Sequence, residues 1–311
     1  MVVLTALIPA HNGGPEDLPP LTAQSFLTSW EPALMPLLGA VLVGGLYLYG
    51  VRRLSQRGDR WPVGRTVCFV GLGLASFLLA TTSALAVYDQ RLFWVHMVQH
   101  MLLAMVTPIF LALGGPMTLA LRTLPVPLRR VLLALLHSRV ARVVTFPVVA
   151  GALFVATPFA LYLTGWYAAT LHHPWLHELN HLHLVLIGAL WFWPVLGVDV
   201  VPGRVSHPLR LLAVFATMPM HAFLGVAILS ESRPIAAQWY AEVAGPNRAW
   251  GPSALADQHL GGALLWASGD LVALLVLAAL FVQWSRASAR EAVREDRRLD
   301  RLDEQRARAA R

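Results

Sequence analysis

Residues 93–116 read FWVHMVQHMLLAMVTPIFLALGGP. From Phe93 to Leu113 no side chain is charged and most are apolar. A helix rises 1.5 Å per residue, so ~20 apolar residues cross the ~30 Å hydrocarbon core of a bilayer. This stretch therefore reads as a membrane-spanning helix. His96 and His100, four apart, share one of its faces. A polar ring in lipid is costly and turns toward the interior of a bundle, so the span needs partner helices on its histidine side.

Working outward, six further apolar stretches of spanning length lie at 33–51, 65–87, 143–163, 176–198, 209–230 and 260–284, with 92–113 as the third of seven. The expected fold class is all-α: a polytopic membrane protein with a bundle of about seven transmembrane helices. Composition agrees. Of 311 residues, 57% are hydrophobic and 13% charged, where a soluble domain is nearer a quarter charged. Between spans three and four, residues 124–140 open on Pro125 and Pro127 and carry Arg129, Arg130 and Arg139, a pattern too charged to span and suited to an interfacial helix. The single cysteine, Cys68, excludes a disulfide framework and a CxxC metal clamp within one copy. Met1–Ala10 is apolar but short and lacks a basic start, so it reads as mature extracytoplasmic chain rather than a cleavable signal.

All 24 basic residues are arginine, and the net charge is +7. Basic residues flanking spans stay on the cytoplasmic side. With the N-terminus outside, the inner side receives Arg52, Arg53, Arg57, Arg60, Arg65, Arg122, Arg129, Arg130, Arg139, Arg142, Arg204, Arg210 and nine arginines from Arg286 to Arg311. Only Arg91, Arg233 and Arg248 fall outside. One missed or extra span would scramble this asymmetry, so the reading is N-out and C-in. It divides the chain into an extracytoplasmic segment 1–32, a transmembrane domain 33–285 and a charged helical tail 286–311 that fixes orientation and touches anionic lipid. No nucleic-acid motif accompanies the arginines, so the basic balance points to the lipid bilayer and not to nucleic acid.

The same topology sorts the histidines. His96 and His100 fall in the outer half of the third span; His177 and His181, in HELNH, repeat their spacing at the outer end of the fifth, with His172, His173 and His183 nearby. His221 lies in the sixth span within MPMH, and His259 opens the seventh in DQHLGG; His137 and His207 are on the inner side. Histidines from several helices converging in a bilayer are expected to be liganded or paired. Neutral imidazole suits copper, zinc, iron or nickel, and thioethers shift a site toward Cu(I). The candidate metal ligands are His96, His100, His177, His181 and His221, with His259, Met97, Met101 and Met218 as further candidates. Glu178, Asp257 and Asp270 are candidate carboxylates behind them. Asp270, deep in the seventh span, is expected to be protonated or paired, with His221 or another polar neighbour. HELNH also matches H-E-x-x-H, the helix signature of zinc proteases, in which Glu178 would be the general base. Pro108 with Gly114, Gly115 and Pro116 is expected to break the third span, and Pro219 to kink the sixth. Trp166, Trp175, Trp239 and Trp250 sit where an outer aromatic belt would anchor.

Four blocks together carry a resemblance: residues 93–116 quoted above, HPWLHELNHLHLVLIGALWFWPVLGVD at 173–199, MPMHAFLGVAI at 218–228 and ADQHLGGALLWASGD at 256–270. In order and spacing the chain resembles the CtaG family of cytochrome c oxidase assembly factors, the type associated with caa3-type oxidases. The resemblance implies a seven-helix protein of the bacterial cytoplasmic membrane that a haem-copper oxidase needs in order to mature, by handling copper for it. The family's histidines correspond here to His96, His100, His177, His181 and His221. The leading expectation is a copper-binding metallochaperone for an oxidase subunit and not an enzyme. A b-type cytochrome holding haem b between facing histidines, a metal transporter and a zinc protease stand as alternatives.

Overall fold

The computed structural model describes residues 18–202, 205–242 and 250–309, with nothing stated for the side chain of Ala307. Met1–Ala10, His11 and three arginines of the topology count, Arg204, Arg248 and Arg311, lie outside the described residues. Every regular element among the described residues is helical. We label the long ones α1 (Leu34–Gln56), α2 (Val63–Tyr88), α3 (Phe93–Leu113), α4 (Pro147–Leu163), α5 (Trp166–His172), α6 (Pro174–Leu196), α7 (His207–Ser230) and α8 (Ala254–Ala309). Six are long and apolar enough to cross a membrane, and α4 with α5, bent by 68° at a short break, makes up to seven.

Local chemistry moves several boundaries from their expected places. The fourth span begins at Pro147, not 143: a proline holds the residue before it extended, and Phe146 sits at φ −64°, ψ 128°. The seventh begins six residues early, at Ala254. Residues 124–140 fall on two short exposed helices, Val126–Leu136 and Arg139–Val144, which do not span. Pro108 does not end the third span. The helix widens into a π turn over Leu102–Val106 and continues past the proline to Leu113, and the break comes at Gly115, in the left-handed region at φ +66°. The expected boundary at 285–286 falls inside α8, where an apolar surface gives way to a charged one without a break in the helix.

The core lies among α3, α4, α6, α7 and α8, around Leu103, Phe154, Leu161, Leu184, Trp191, Leu224 and Leu265. Glycines set the closest approaches. A Cβ on Gly225 of α7 would lie 2.8 Å from Trp266 Cβ and 3.0 Å from the Gly262 carbonyl of α8. A Cβ on Gly188 of α6 would collide with the Ala104 carbonyl of α3 and lie 2.7 Å from Pro108 Cγ. Ala104 is the residue four before Pro108, so its carbonyl has no N–H to receive there, and only glycine lets α6 rest against it.

Loop contacts define two ends. At the arginine-rich end, Arg57 donates to the Arg122 carbonyl (3.1 Å), Arg122 pairs with Asp59 (3.3 Å), and Asp199 accepts from the Met117 and Thr118 amides (2.8 Å each) and from the Thr118 hydroxyl. Buried Arg210 donates to the Val195 and Leu196 carbonyls, which closes the C-terminus of α6 beside Gly197. At the histidine-rich end, Tyr88 donates to the Pro19 carbonyl, Trp250 to Leu18 and Trp239 to Gln90, at 2.9, 3.1 and 2.9 Å. Two of the expected belt tryptophans, Trp239 and Trp250, therefore staple loops together.

Candidate metal centre

At the histidine-rich end α2 is interrupted at Ser83 (φ −90°, ψ −171°), whose hydroxyl caps one final turn, Ala84–Tyr88, by accepting from the Leu85 amide at 3.2 Å. The turn that follows carries Asp89 against the start of α6. There Pro174 occupies the first helical position, where its missing N–H costs nothing, and His177 and His181 stand one turn apart with ring centroids separated by 4.5 Å.

Asp89 is 1% exposed, and His177 and His181 are each 4% exposed. His177 Nε2 donates to Asp89 Oδ2 at 2.7 Å, and His181 Nε2 lies 3.9 Å from the same oxygen. His181 Nε2 also lies 3.2 Å from Gln99 Oε1, and the Gln99 amide nitrogen donates to the Ala80 carbonyl at 3.0 Å. One ligand atom from each of Asp89, His177 and His181 falls within 4.8 Å of the others. With Glu31, Thr81 and Glu178 they line a cavity of about 20 Å³, and Glu178 and His181 also line an apolar crevice of about 380 Å³ between α1 and the rest of the bundle. Burial pushes the Asp89 carboxyl up, and the imidazoles of His177, His181 and His96 more than offset it, holding it at about 2. Asp89 is thus a carboxylate.

Several atoms here have nothing to bond. Asp89 Oδ1 and the Nδ1 atoms of His96, His177 and His181 are buried without a hydrogen-bond partner. Orphaned buried polar atoms are costly, and a cation bound by a carboxylate and imidazoles would relieve those on Asp89, His177 and His181. The donor set fits a transition metal.

The remaining candidates separate from this triad. His96 approaches it, with its ring 6.4 Å from that of His177. Its Nε2, however, lies 3.1 Å from the Tyr162 hydroxyl, which is also 2.9 Å from His100 Nδ1. His100 and His221 line a second cavity of about 10 Å³ with Met101 and Met105, and His221 Nδ1 donates to the Thr217 carbonyl at 3.3 Å. The single five-histidine pocket expected from spacing is thus two groups joined through Tyr162. His259 Nε2 faces the Glu231 carbonyl at 3.4 Å, Met97 packs beside Gly261, and Met218 packs against the apolar core. Asp257 caps the start of α3 by accepting from the Phe93 and Trp94 amides at 2.9 and 3.1 Å. Asp270 Oδ2 accepts from Trp266 Nε1 on its own helix at 2.9 Å, Oδ1 is buried without a hydrogen-bond partner, and the carboxylate lies near enough to His221 to act on it electrostatically. Glu178 Oε2 lies 3.7 Å from His181 Nδ1, at the edge of the triad.

Asp89, Gln99 and Tyr162 are absent from the ligand set that spacing suggests. The available signal for Asp89 was an acid in a short break on the same side as HELNH; the other two stand in apolar runs that mark nothing.

A bundle of six or seven apolar helices with a buried carboxylate and two imidazoles converging at one end defines a multi-pass membrane protein with a candidate metal centre. The chain belongs to the cytochrome c oxidase caa3 assembly factor family (Caa3_CtaG), whose family model matches residues 45–287. Among its relatives, an uncharacterized protein of Mycobacterium tuberculosis is 40% identical over 293 residues, covering 91% of this chain and 44% of its own length. An uncharacterized protein of Mycobacterium leprae is 37% identical over 283 residues, covering 88% and 42%. The chain thus spans less than half the length of the curated relatives it matches. No solved structure matches it.

Proposed function

We propose that this chain binds copper at Asp89, His177 and His181 and delivers it to a haem-copper oxidase subunit, as a metallochaperone of the bacterial cytoplasmic membrane and not as a catalyst. The observation that carries the reading is the triad: one possible ligand atom from each of Asp89, His177 and His181 within 4.8 Å of the others, a further buried and unpartnered polar atom on each of the three, and a cavity of ion size beside them. Three ligands leave a coordination position open, and an ion so held can pass to another protein by ligand exchange, whereas a closed four-ligand site keeps its metal. Copper is the cargo. With N-out and C-in, the triad faces the outer side, where the client's metal-binding domain would meet it. The spans 33–285 then act as carrier and the charged tail 286–311 as cytoplasmic anchor, with Glu31 at the wall of the cavity.

The test is copper stoichiometry of the full chain in detergent, with the copper content of the oxidase in membranes that carry each variant. Wild type is expected to hold copper, and Asp89→Ala and His177→Ala each to lose the equivalent held at the triad together with oxidase copper. Unchanged copper in both variants would overturn the proposal.

One observation favours a second reading. Asp89 supplies the third ligand that an H-E-x-x-H zinc hydrolase requires, and Glu178 lines the same cavity. Glu178→Gln separates the two readings: the copper reading expects oxidase maturation to persist, and hydrolysis needs it to stop.

A further inference from the structure

We infer that His100, His221, Met101 and Met105 form a second metal site, built for a single soft monovalent ion, Cu(I), distinct from the carboxylate triad. The inference rests on the copper reading above and deepens it by assigning the oxidation state that this pocket selects.

Four observations lead to it. His100 and His221 come from different helices, α3 and α7, yet line one small cavity with Met101 and Met105. The cavity measures about 10 Å³, room for one water-sized sphere. Each imidazole is already held at Nδ1: His100 by the Tyr162 hydroxyl at 2.9 Å, His221 by the Thr217 carbonyl at 3.3 Å. A metal-bound histidine has this arrangement, in which a bond at one ring nitrogen fixes the tautomer and leaves the other, here Nε2, as the ligand. The Tyr162 hydroxyl serves His100 in this way, and it donates to one histidine while accepting from the other, since His96 Nε2 is 3.1 Å away.

The methionines decide the metal. Met101 is 6% and Met105 2% exposed, and Met105 lies in the π turn Leu102–Val106, where the widened helix shifts side chains relative to an α-helical register. The other lining residues, Ala104, Phe154, Thr157, Pro158, Leu184 and Ile187, bring no carboxylate. Two imidazoles with thioethers and no carboxylate among the residues that line the cavity suit a soft monovalent ion, with the Asp270 carboxylate near enough to act on His221 from outside the lining. Zinc(II) belongs at the carboxylate triad instead.

The test uses the full chain in detergent with Ag(I), an air-stable monovalent probe, then Cu(I) under anaerobic reduction, and Zn(II) as the divalent control. Wild type is expected to bind two equivalents of Ag(I) and one of Zn(II). The His100→Ala/His221→Ala double variant should bind one Ag(I) and keep its Zn(II). Met101→Leu/Met105→Leu preserves core volume, so it keeps the fold; it should weaken the second Ag(I) at least tenfold and remove sulfur scattering from the X-ray absorption spectrum of the Cu(I) form. One Ag(I) equivalent in wild type, or a second equivalent that survives the double histidine variant, overturns the inference. Sulfur scattering that survives the double methionine variant overturns the thioether assignment. Asp89→Ala/His177→Ala should lose Zn(II) and one Ag(I) while keeping sulfur scattering. If it instead keeps every equivalent, the triad reading falls and the second site stands on its own data, so the two failures are told apart.

Discussion

Asp89, His177 and His181 meet at the mouth of the bundle, in a turn and the first turns of a helix, whereas His100 and His221 meet between the middles of two spans. The mouth is assembled where helices break and begin. Asp89 reaches it because α2 breaks at Ser83, and the cavity beside it is covered by Glu31 and Ala33 from the segment before α1. The deeper pocket is assembled from packed parts: a π turn, prolines in α3, α4 and α7, and the contact between Gly188 and Ala104. The mouth carries an anion and open lone pairs; the pocket carries thioethers and imidazoles already fixed at Nδ1. The difference teaches that similar histidine spacing, HxxxH on α3 and on α6, yields two chemistries, because the third partner comes from elsewhere in the chain.

Breaking the mouth alone should have the largest effect. Asp89→Ala removes the one anionic ligand and leaves the His177 Nε2–H without an acceptor. Zinc affinity of the full chain, measured by competition with a chelator, is expected to fall about 100-fold or more, since loss even of a group that only orients a ligand costs about 10–100-fold. Ag(I) at the deeper pocket should be retained.

Breaking the pocket alone comes next. Gly188→Ala drives a methyl group into the Ala104 carbonyl and Pro108, and Ala104 lines the pocket. Overpacking of this kind costs about 1–3 kcal/mol, and a thermal shift in detergent should register it. The second Ag(I) equivalent should weaken with it while Zn(II) at the mouth holds. Equal weakening at both would mean that the two regions are one unit.

Tyr162→Phe probes the link. It removes the hydroxyl shared by His96 and His100 and leaves two buried ring nitrogens without a partner, so the expected cost is about 1–3 kcal/mol of stability. Released from its hydrogen bond, His100 should bind Ag(I) about tenfold more weakly. Zinc affinity at the mouth is expected to stay within about twofold, and a matching loss there would show that Tyr162 couples the sites.

Sequence patterns reached the bundle further than the site, for physical reasons that differ between residues. An apolar run of spanning length constrains a helix locally, so the six long helices and the bent pair α4–α5 were legible. Their ends were less so, because Pro147 and Gly197 act through backbone geometry that hydropathy does not register. Pro108 misled in the opposite direction: the π turn before it lets the helix continue. For the site, two members of the triad were legible because i, i+4 histidines share a face of a helix whatever the fold. Asp89 was not, because its proximity to His177 spans 88 positions in the chain and depends on the break at Ser83. Asp257 and Asp270, acids near histidines in the sequence, proved to serve a helix start and a tryptophan.

The smallest effect is expected where sequence proximity promised a ligand and the fold put the ring elsewhere. His259 stands in DQHLGG between Asp257 and the glycines that pack α8 against α3 and α7, and its Nε2 meets the Glu231 carbonyl at 3.4 Å, at the weak end for a hydrogen bond. It lines neither of the two small histidine cavities. His259→Ala should therefore change stability by no more than about 0.5 kcal/mol, the range for a surface substitution away from special features. Both Ag(I) equivalents and the Zn(II) equivalent should remain. A lost equivalent in this variant would place a ligand at the start of α8, outside both groups, and the division into an anionic mouth and a thioether pocket would have to give way to a site that reaches the seventh span.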